Sequence, residues 1–233
     1  LVSCFGIDPR RVKVCGQPRN DRMLTRAGDS KKTIERLLQT SLEERRVVLY
    51  APTYRKGFGR NDGSPLEDEP MTILSHDHLA FLSESLARLN AILLIRLHPW
   101  EEATIAEDLP PNVAILDDME MRDHFVDMSD ILSATDLLIT DFSGVYYDFL
   151  LLDRPIVFFC PDLAQYERTR EFVLKPYDFW APGPKTTDLL SMMAEVEKCL
   201  ADPTYFRRER STINMLINEV TDATASQRVL QVM

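Results

Sequence analysis

The sequence predicts an α/β protein built on a doubly wound parallel β-sheet, and two observations lead to that prediction. Short, almost continuous apolar runs recur along the chain, as expected for parallel strands that are covered on both faces. Segments with helical periodicity lie between these runs, and such alternation favours a parallel sheet with right-handed crossovers. We therefore expect one domain with about six parallel strands.

Six apolar runs are the predicted strands, and seven amphipathic segments are the predicted helices. The strands are residues 12–15, 46–50, 91–97, 113–116, 137–140 and 155–159. The helices are residues 30–39, 76–89, 128–134, 145–152, 187–200, 203–220 and 225–232. Ser30 is the candidate cap of the first helix, and Pro203 is a start signal for the sixth. The stretch 57–70, rich in Gly and Pro, predicts a mobile loop.

Composition and charge narrow the class of protein. The chain has 233 residues, of which 45% are hydrophobic and 27% charged, as in ordinary globular proteins. Its net charge of -10 argues against a general nucleic-acid binder, because such proteins need a basic surface. No apolar run approaches the roughly 20 residues that span a bilayer, and the start lacks a signal-peptide pattern. Four scattered cysteines without a CxxC pair indicate reduced thiols, so we expect a cytoplasmic protein.

Polar motifs follow directly on three predicted strands, where ligands bind in open α/β sheets. In the motif at 50–57, Pro52 ends the strand and leaves Thr53 and Arg55 to face the crevice. A guanidinium suits a phosphate because it offers paired donors and a fixed charge. In the motif at 96–100, His98 follows a strand, where an imidazole can hydrogen-bond a phosphate oxygen or assist a leaving group.

The third motif, residues 140–145, joins a strand to a helix. Ser143 is its predicted N-cap, and the amides that follow, beginning with Gly144, would face the crevice as an anion site. Each motif also has an ordinary interpretation: an exposed loop, a His at a strand end, and a Ser-capped helix. Their convergence at one edge of the sheet favours a phosphorylated ligand. Neither a GxGxxG nor a P-loop pattern is present.

No metal site is predicted. His76 and His78 flank Asp77, but a His-x-His pair without a third ligand is a weak metal signal, and the segment is interpreted as the start of a helix. The acidic residues Asp117, Asp118 and Glu120 are interpreted as a solvated loop after a strand.

The motifs together resemble the CDP-glycerol glycerophosphotransferase family, of the teichoic-acid polymerase type. The resemblance runs through residues 16–21 (GQPRND), 49–55 (LYAPTYR), 96–99 (RLHP) and 133–149 (SATDLLITDFSGVYYDF). It continues through 153–159 (DRPIVFF), 162–166 and 181–184 (APGP), and so covers nearly the whole chain.

The resemblance implies the Rossmann-like C-terminal half of a GT-B glycosyltransferase. Residues 46–222 would form the domain that binds a CDP-linked donor, with residues 1–45 leading into it. The C-terminal helix, 223–233, would pack against an N-terminal half that this chain lacks. The implied activity is the transfer of glycerol phosphate, or a related polyol phosphate, from CDP-glycerol to a teichoic-acid or capsule-like polymer. CMP leaves, no metal or cofactor is needed, and a lipid-linked acceptor would bring the protein to the inner face of the cell membrane.

The resemblance also assigns residues. His98 would be the catalytic residue and would contact the pyrophosphate of the donor. The implied substrate-binding residues are Thr53, Arg55, Asp141, Ser143 and Gly144.

The chain departs from the family's pattern at three places. A Trp-His-Gly-type motif, whose His is thought to be the general base, is absent, so we expect this chain to bind the donor without turnover. The usual Ser-Ser pair is Ser143-Gly144, and the usual Arg-Gly is Arg170-Glu171, which leaves the donor open between CDP-glycerol, CDP-ribitol and other polyol donors. Two alternatives also remain: a non-catalytic nucleotide-binding domain, and a GT-B glycosyltransferase that uses a UDP-sugar.

Overall fold

The computed structural model describes residues 5–42, 44–53, 73, 75–97, 109–170 and 172–233. The predicted mobile loop, 57–70, lies outside the described residues, as do Arg55 and His98.

The described residues form one six-stranded sheet in which every neighbouring pair of strands is parallel. Its strands are β1 (Arg46–Tyr50), β2 (Ala91–Ile95), β3 (Val113–Ile115), β4 (Leu137–Thr140), β5 (Ile156–Phe159) and β6 (Lys185–Thr186). The spatial order is β3-β2-β1-β4-β5-β6, so the direction of winding reverses between β1 and β4. This is the doubly wound arrangement, and the predicted fold class is confirmed.

Helices cover both faces of this sheet. In chain order, the α-helices of the described residues are α1 (Pro18–Thr25), α2 (Ala27–Leu38), α3 (His76–Arg88), α4 (Asp118–Asp123), α5 (Met128–Ala134), α6 (Val145–Phe149), α7 (Leu163–Arg170), α8 (Tyr177–Trp180), α9 (Leu189–Ala201), α10 (Arg207–Ile217) and α11 (Ala225–Val232). The first face of the sheet carries α1, α2, α5, α6 and α10, and the second face carries α3 and α9.

Alternation along the strands builds one hydrophobic core on each face. In β1, Val47 and Leu49 enter the core of the first face, while Val48 enters the core of the second. Successive side chains of a strand point to opposite faces, so a strand that is covered twice must be apolar throughout. The observed burial explains why these strands appear in the sequence as continuous apolar runs: β2, β4 and β5 are buried along their whole length.

The structure confirms the sequence interpretation of one polar segment and corrects that of another. The segment with His76 does begin α3, where Ser75 caps the helix by accepting a hydrogen bond from the His78 amide at 3.3 Å. The acidic segment after β3 is the start of α4 rather than a solvated loop. Asp117 caps it by accepting hydrogen bonds from the Met119 and Glu120 amides at 2.8 and 3.0 Å.

The strand predicted at residues 12–15 is wrong. These residues pair with no strand in the described part of the chain, and Val14 is 59% exposed. The sixth strand is instead β6, whose two residues pair with β5. A strand of two residues is too short to produce an apolar run, so the sequence pattern could not reveal it.

Two predicted helix starts are also wrong. The helix α2 begins at Ala27, and Ser30 lies buried inside it with its hydroxyl 3.5 Å from Asp130 Oδ1. The helix α10 begins at Arg207 instead of Pro203. The reason is that Arg210 binds the carbonyl oxygens of Pro203 and Tyr205, which holds that stretch as a turn.

The first and last helices of the described chain are joined. Asp21 of α1 accepts hydrogen bonds from the amides of Ala225 and Ser226, both at 2.8 Å, and so caps α11. Gly16, with φ of +79°, lets the leading segment pass close to Val220, where a Cβ would lie 2.8 Å from Val220 Cγ1. Within the described part of the chain, no helix has the length and apolar character needed to span a membrane.

Candidate functional site at the carboxyl ends of β1 and β4

The carboxyl ends of β1 and β4 meet where the winding of the sheet reverses. In doubly wound sheets a crevice opens at this point and serves as the usual ligand site. Thr53 follows β1, and Asp141 follows β4 directly. The two strands are neighbours in the sheet, so these two predicted site residues are brought together although 88 positions separate them in sequence.

Asp141 joins the two loops. Its Oδ1 accepts hydrogen bonds from the Thr53 amide at 2.8 Å, from the Thr53 hydroxyl at 2.7 Å and from the Ser143 amide at 3.1 Å. The side chain is buried, with Asp141 only 2% exposed. The geometry therefore gives Asp141 a positioning role toward Thr53 and Ser143, whereas its predicted contact with substrate stays a prediction.

The loop after β4 differs by one residue from the prediction. Gly144, not Ser143, is the N-cap of α6, and it has a helical backbone conformation. The Ser143 hydroxyl still accepts a hydrogen bond from the Val145 amide, at 3.4 Å. The Asp141 bond to the Ser143 amide sets this offset, because it forms a turn before the helix that places Ser143 outside it. Ser143 is partly exposed and Gly144 is exposed.

A partly buried chain of polar groups supports the same loop. The Tyr177 hydroxyl donates to the carbonyl oxygen of Asp141 at 3.1 Å, and Cys160 Sγ lies 3.2 Å from that hydroxyl. Burial, followed by the neighbouring thiol, raises the pKa of the Tyr177 phenol far above its ordinary value, so the hydroxyl stays protonated. Since the phenol donates its one hydrogen to Asp141, the Cys160 thiol is the donor in the other contact.

Aromatic rings surround this support. Phe142, between Asp141 and Ser143, stacks on Tyr166 with ring centroids 3.9 Å apart. Phe172 stacks on Tyr177 at 4.9 Å and lies 5.5 Å from Phe142. Sequence reasoning missed Tyr177, Cys160 and Phe172 as neighbours of the site. Cys160 follows β5, Phe172 follows α7 and Tyr177 begins α8, and nothing in their local sequence points to the loop after β4.

The ends of β2 and β3 are held together by Arg96. Its Nη1 donates to the carbonyl oxygens of Leu97 and Leu116 at 2.9 and 3.2 Å, and its Nη2 forms an ion pair with Asp118. Arg96 is the first residue of the second predicted motif and lies two positions before His98. These bonds therefore hold the start of that motif in place. The motif itself, from His98 onward, lies outside the described residues, as does Arg55.

Among the residues that the structure describes, no group of three or more His, Cys, Asp or Glu side chains is arranged to hold a metal ion.

Comparisons with known proteins agree with the fold and with the family that the sequence resembles. A family model described as CDP-Glycerol:Poly(glycerophosphate) glycerophosphotransferase matches residues 1–233. A teichoic acid poly(ribitol-phosphate) polymerase of Bacillus spizizenii is 29% identical over 231 residues, which are 97% of this chain and 34% of the polymerase. A teichoic acid glycerol-phosphate primase of the same organism is 30% identical over 169 residues, which are 71% of this chain and 39% of the primase.

Solved structures show the same likeness. The wall teichoic acid polymerase TagF superposes with a TM-score of 0.77 and 25% identity, covering 99% of this chain and 53% of that one. A variant of TagF with a histidine replaced by asparagine, soaked with CDPG, superposes with a TM-score of 0.74, 25% identity and coverage of 99% and 52%. The chain thus spans about a third to a half of the length of these relatives. By the match along its whole length, the chain belongs to the CDP-glycerol:poly(glycerophosphate) glycerophosphotransferase family.

Proposed function

We propose that this chain is the donor-binding domain of a polyol phosphotransferase that transfers polyol phosphate from a CDP-linked donor to a teichoic-acid-type polymer. The observation that supports it is the joining of the β1 and β4 loops by Asp141 at the winding reversal of the sheet. A nucleotide diphosphate needs several donors held at one edge, and these bonds preorganise two of the loops that carry the predicted donors. The relatives include both ribitol-phosphate and glycerol-phosphate enzymes, which supports a CDP-polyol as the donor class.

In this proposal the polar groups have different roles. Thr53, Ser143 and Gly144 face the phosphates, and Asp141 positions them. Arg55 pairs with the pyrophosphate through its fixed charge. His98 stabilises the charge that develops on the leaving group. The TagF variant soaked with CDPG supports a donor site of this kind in the family.

The chemical step is a substitution at phosphorus. A hydroxyl of the acceptor polymer attacks the phosphorus that bears the polyol and gives up its proton to a base. The bond from that phosphorus to the CMP oxygen breaks, and CMP leaves with the electron pair. An acceptor carried on a lipid would bring the reaction to the inner face of the cell membrane. The UDP-sugar alternative is not favoured, because these relatives transfer polyol phosphates.

Calorimetric titration of the chain with CDP, CDP-glycerol, CDP-ribitol and UDP tests the proposal. We expect the cytidine ligands to bind and UDP to bind at least about tenfold more weakly. Asp141→Ala should weaken CDP binding by about tenfold or more, because Thr53 and Ser143 lose the bonds that hold them in place, and a lost charge-assisted hydrogen bond costs about 1.5–3 kcal/mol. Asp202→Ala is the matched control, since Asp202 follows the C-terminal end of α9 and accepts hydrogen bonds from the amide and hydroxyl of Thr204 at 2.9 and 2.6 Å.

Two outcomes would count against the proposal. A folded Asp141→Ala variant that binds CDP as tightly as the parent would place the ligand elsewhere. Equal affinity for UDP and CDP would reopen the UDP-sugar alternative. We also expect no release of CMP from CDP-glycerol by this chain, because the Trp-His-Gly-type motif is absent; measurable release would show that the general base lies within these residues.

A further inference from the structure

Positive charge is concentrated in the first part of the chain. Residues 1–46 carry 11 Lys and Arg against 6 Asp and Glu, whereas the whole chain carries 27 against 37. The remainder is therefore strongly acidic, and a surface formed by the leading residues can attract an anionic partner that the rest of the chain repels. Part of this positive charge lies at the amino ends of the strands, on the edge of the sheet opposite the candidate site.

The amino ends of β1, β4 and β5 bring these cations together. Arg46 begins β1, and its Nη1 lies 4.0 Å from Oδ1 of Asp136, which directly precedes β4. Arg154 comes two residues before β5, and its Nη1 donates to two carbonyl oxygens at the end of α5. Lys31 of α2 reaches the same edge, because its Nζ donates to the carbonyl oxygen of Arg45 at 3.0 Å. We refer to Lys31, Arg45, Arg46 and Arg154 as the basic edge.

The carboxylates described near the basic edge neutralise its charge only in part. Asp136 is engaged by a backbone amide of β1, which donates to its Oδ2 at 2.8 Å, and its ion pair with Arg46 is loose. Asp153 is paired with two arginines of α10. Glu44 is exposed in the loop before β1. Asp136 and Glu44 thus stand against the four cations, so this edge is positive on a chain whose net charge is -10.

The guanidinium groups of the basic edge keep donors for a further anion. The Arg46 side chain is 55% exposed. In the described part of the chain, the bonds of Arg154 use Nη1 and leave Nε and Nη2 available. Burial lowers the pKa of Arg154, and the charge of Asp136 offsets this only in part, so another anion would stabilise the guanidinium. Guanidinium groups bind phosphate oxygens through paired N–H donors, so this edge suits phosphate and phosphodiester groups.

The position of the basic edge favours a long ligand. The strands β1 and β4 have five and four residues, so at about 3.3 Å per residue the two edges of the sheet lie about 15 Å apart. A nucleotide donor seated at the carboxyl ends of the strands does not need this edge. A polyol-phosphate polymer carries one phosphodiester in every unit, so a single chain of it can meet several of these cations at once.

We propose that the basic edge binds phosphodiester groups of the acceptor polymer, away from the end of the polymer that reacts. This inference rests on the proposed function, because it takes a polyol-phosphate polymer as the acceptor. Each contact after the first is intramolecular, so the affinity for the polymer should rise with its length. The basic edge would thereby hold a growing chain more firmly than a short one.

The test is calorimetry of the parent chain and of Lys31→Gln/Arg46→Gln with glycerol phosphate and with glycerol-phosphate oligomers of increasing length. We expect the parent to bind long oligomers more tightly than short ones. The double variant should bind the long oligomers about tenfold more weakly at low salt, because it loses two cation–phosphate contacts. Its affinity should also depend less on salt concentration, since fewer counterions are released on binding. Its affinity for CDP should equal that of the parent.

The matched control is Arg11→Gln/Lys13→Gln, which removes the same two residue types from exposed positions of the leading segment. That segment meets α11, where Gly16 approaches Ala225. Oligomer binding by the control should match that of the parent. Equal losses in the two double variants would assign the effect to overall charge and overturn the inference. Oligomer binding that is absent in the parent, or unchanged in folded Lys31→Gln/Arg46→Gln, would overturn it as well.

Vesicles of phosphatidylglycerol and phosphatidylcholine separate the polymer from a membrane as the partner. If Lys31→Gln/Arg46→Gln loses binding to these vesicles but binds oligomers like the parent, the basic edge contacts a membrane and this inference is wrong. The proposed function is tested separately by the titration with CDP. A parent chain that binds CDP leaves that function standing even when the oligomer result is negative. A parent chain that binds no CDP overturns the proposed function, while the oligomer titration still decides whether the basic edge binds phosphodiesters.

Discussion

The two faces of the sheet differ in how their helices contact one another. On the second face, α3 and α9 contribute leucine, methionine and valine, such as Leu82, Met192 and Val196, each no more than 1% exposed. On the first face, buried polar groups join the helices to one another. Asp130 of α5 binds Arg22 of α1 at 2.8 Å, and the hydroxyl of Ser133 donates to the Met23 carbonyl at 2.8 Å.

The two kinds of contact have different effects on the structure. Apolar side chains bury area without a required direction, so the second face supplies stability and tolerates exchanges of similar volume. Hydrogen bonds require a distance and an angle, so the first face holds α1, α5 and α6 in one arrangement. A cavity lined by Arg19, Asn20 and Asp148 lies among these helices. This cavity therefore lies on the face whose geometry is set by polar contacts.

The largest expected effect is that of Arg210→Met in α10, a helix of the first face. Arg210 is 1% exposed and donates to the carbonyl oxygens of Pro203 and Tyr205 and to Asp153. Methionine keeps much of the volume but leaves these acceptors without their donor, so we expect a loss of about 4 kcal/mol in the free energy of unfolding. Urea denaturation measures it.

Arg207→Met is the matched control, because Arg207 pairs with the same Asp153 at 2.8 Å but has a side chain that is 62% exposed. Its loss should cost about 0–1 kcal/mol. Equal costs for the two arginine variants would contradict the polar, direction-dependent character assigned to the first face.

On the second face, Leu82→Ala should lower the free energy of unfolding by about 3 kcal/mol, within the range for large-to-small changes in a core. Leu82 is 1% exposed in α3. Leu82→Met, which keeps the volume, should cost less than about 1.5 kcal/mol. The same denaturation assay measures both. If the methionine variant were as unstable as the alanine variant, the second face would require specific shapes, and the contrast between the faces would weaken.

At the edge shared by both faces, Tyr177→Phe should have a moderate effect. It removes the hydrogen bond to the Asp141 carbonyl while keeping the ring contact with Phe172. We expect about 1 kcal/mol of lost stability and a CDP affinity about threefold to tenfold weaker, because the loop after β4 loses a fixed support. Calorimetry and thermal unfolding measure the two effects. Unchanged affinity with reduced stability would limit Tyr177 to a purely structural role.

The smallest effect concerns thiol reactivity and leaves stability untouched. Burial raises the pKa of Cys199, in the core of the second face, to about 12, and Cys160 is likewise buried on the first face. Cys15 is partly exposed. In a Cys4→Ser background, Ellman's reagent at pH 8 should label about one thiol per native chain, and the other two only after unfolding. Rapid native labelling of Cys199 would show that the second face opens readily.

The sequence by itself determined most of the sheet and the meeting of Thr53 with Asp141. A strand buried on both faces must be apolar along its length, so β1, β2, β3, β4 and β5 appear as local runs. Parallel strands end at one edge, so residues that follow them converge without any further information. The helices α3 and α9 could be predicted for the same reason, because their periodicity and their caps, Ser75 and Asp188, are local signals.

Only the tertiary structure decided the last strand and the long-range polar contacts. The strand β6 exists because β5 offers it an edge, and its two residues carry no pattern of their own. The support of Asp141 by Tyr177 and the pairing of Arg19 with Asp148, 129 positions apart, join segments whose local sequences are unrelated. Hydrophobic periodicity records which side of an element is buried. It does not record which distant polar group a buried side chain will face, because that depends on how the elements pack and on the direction that each hydrogen bond requires.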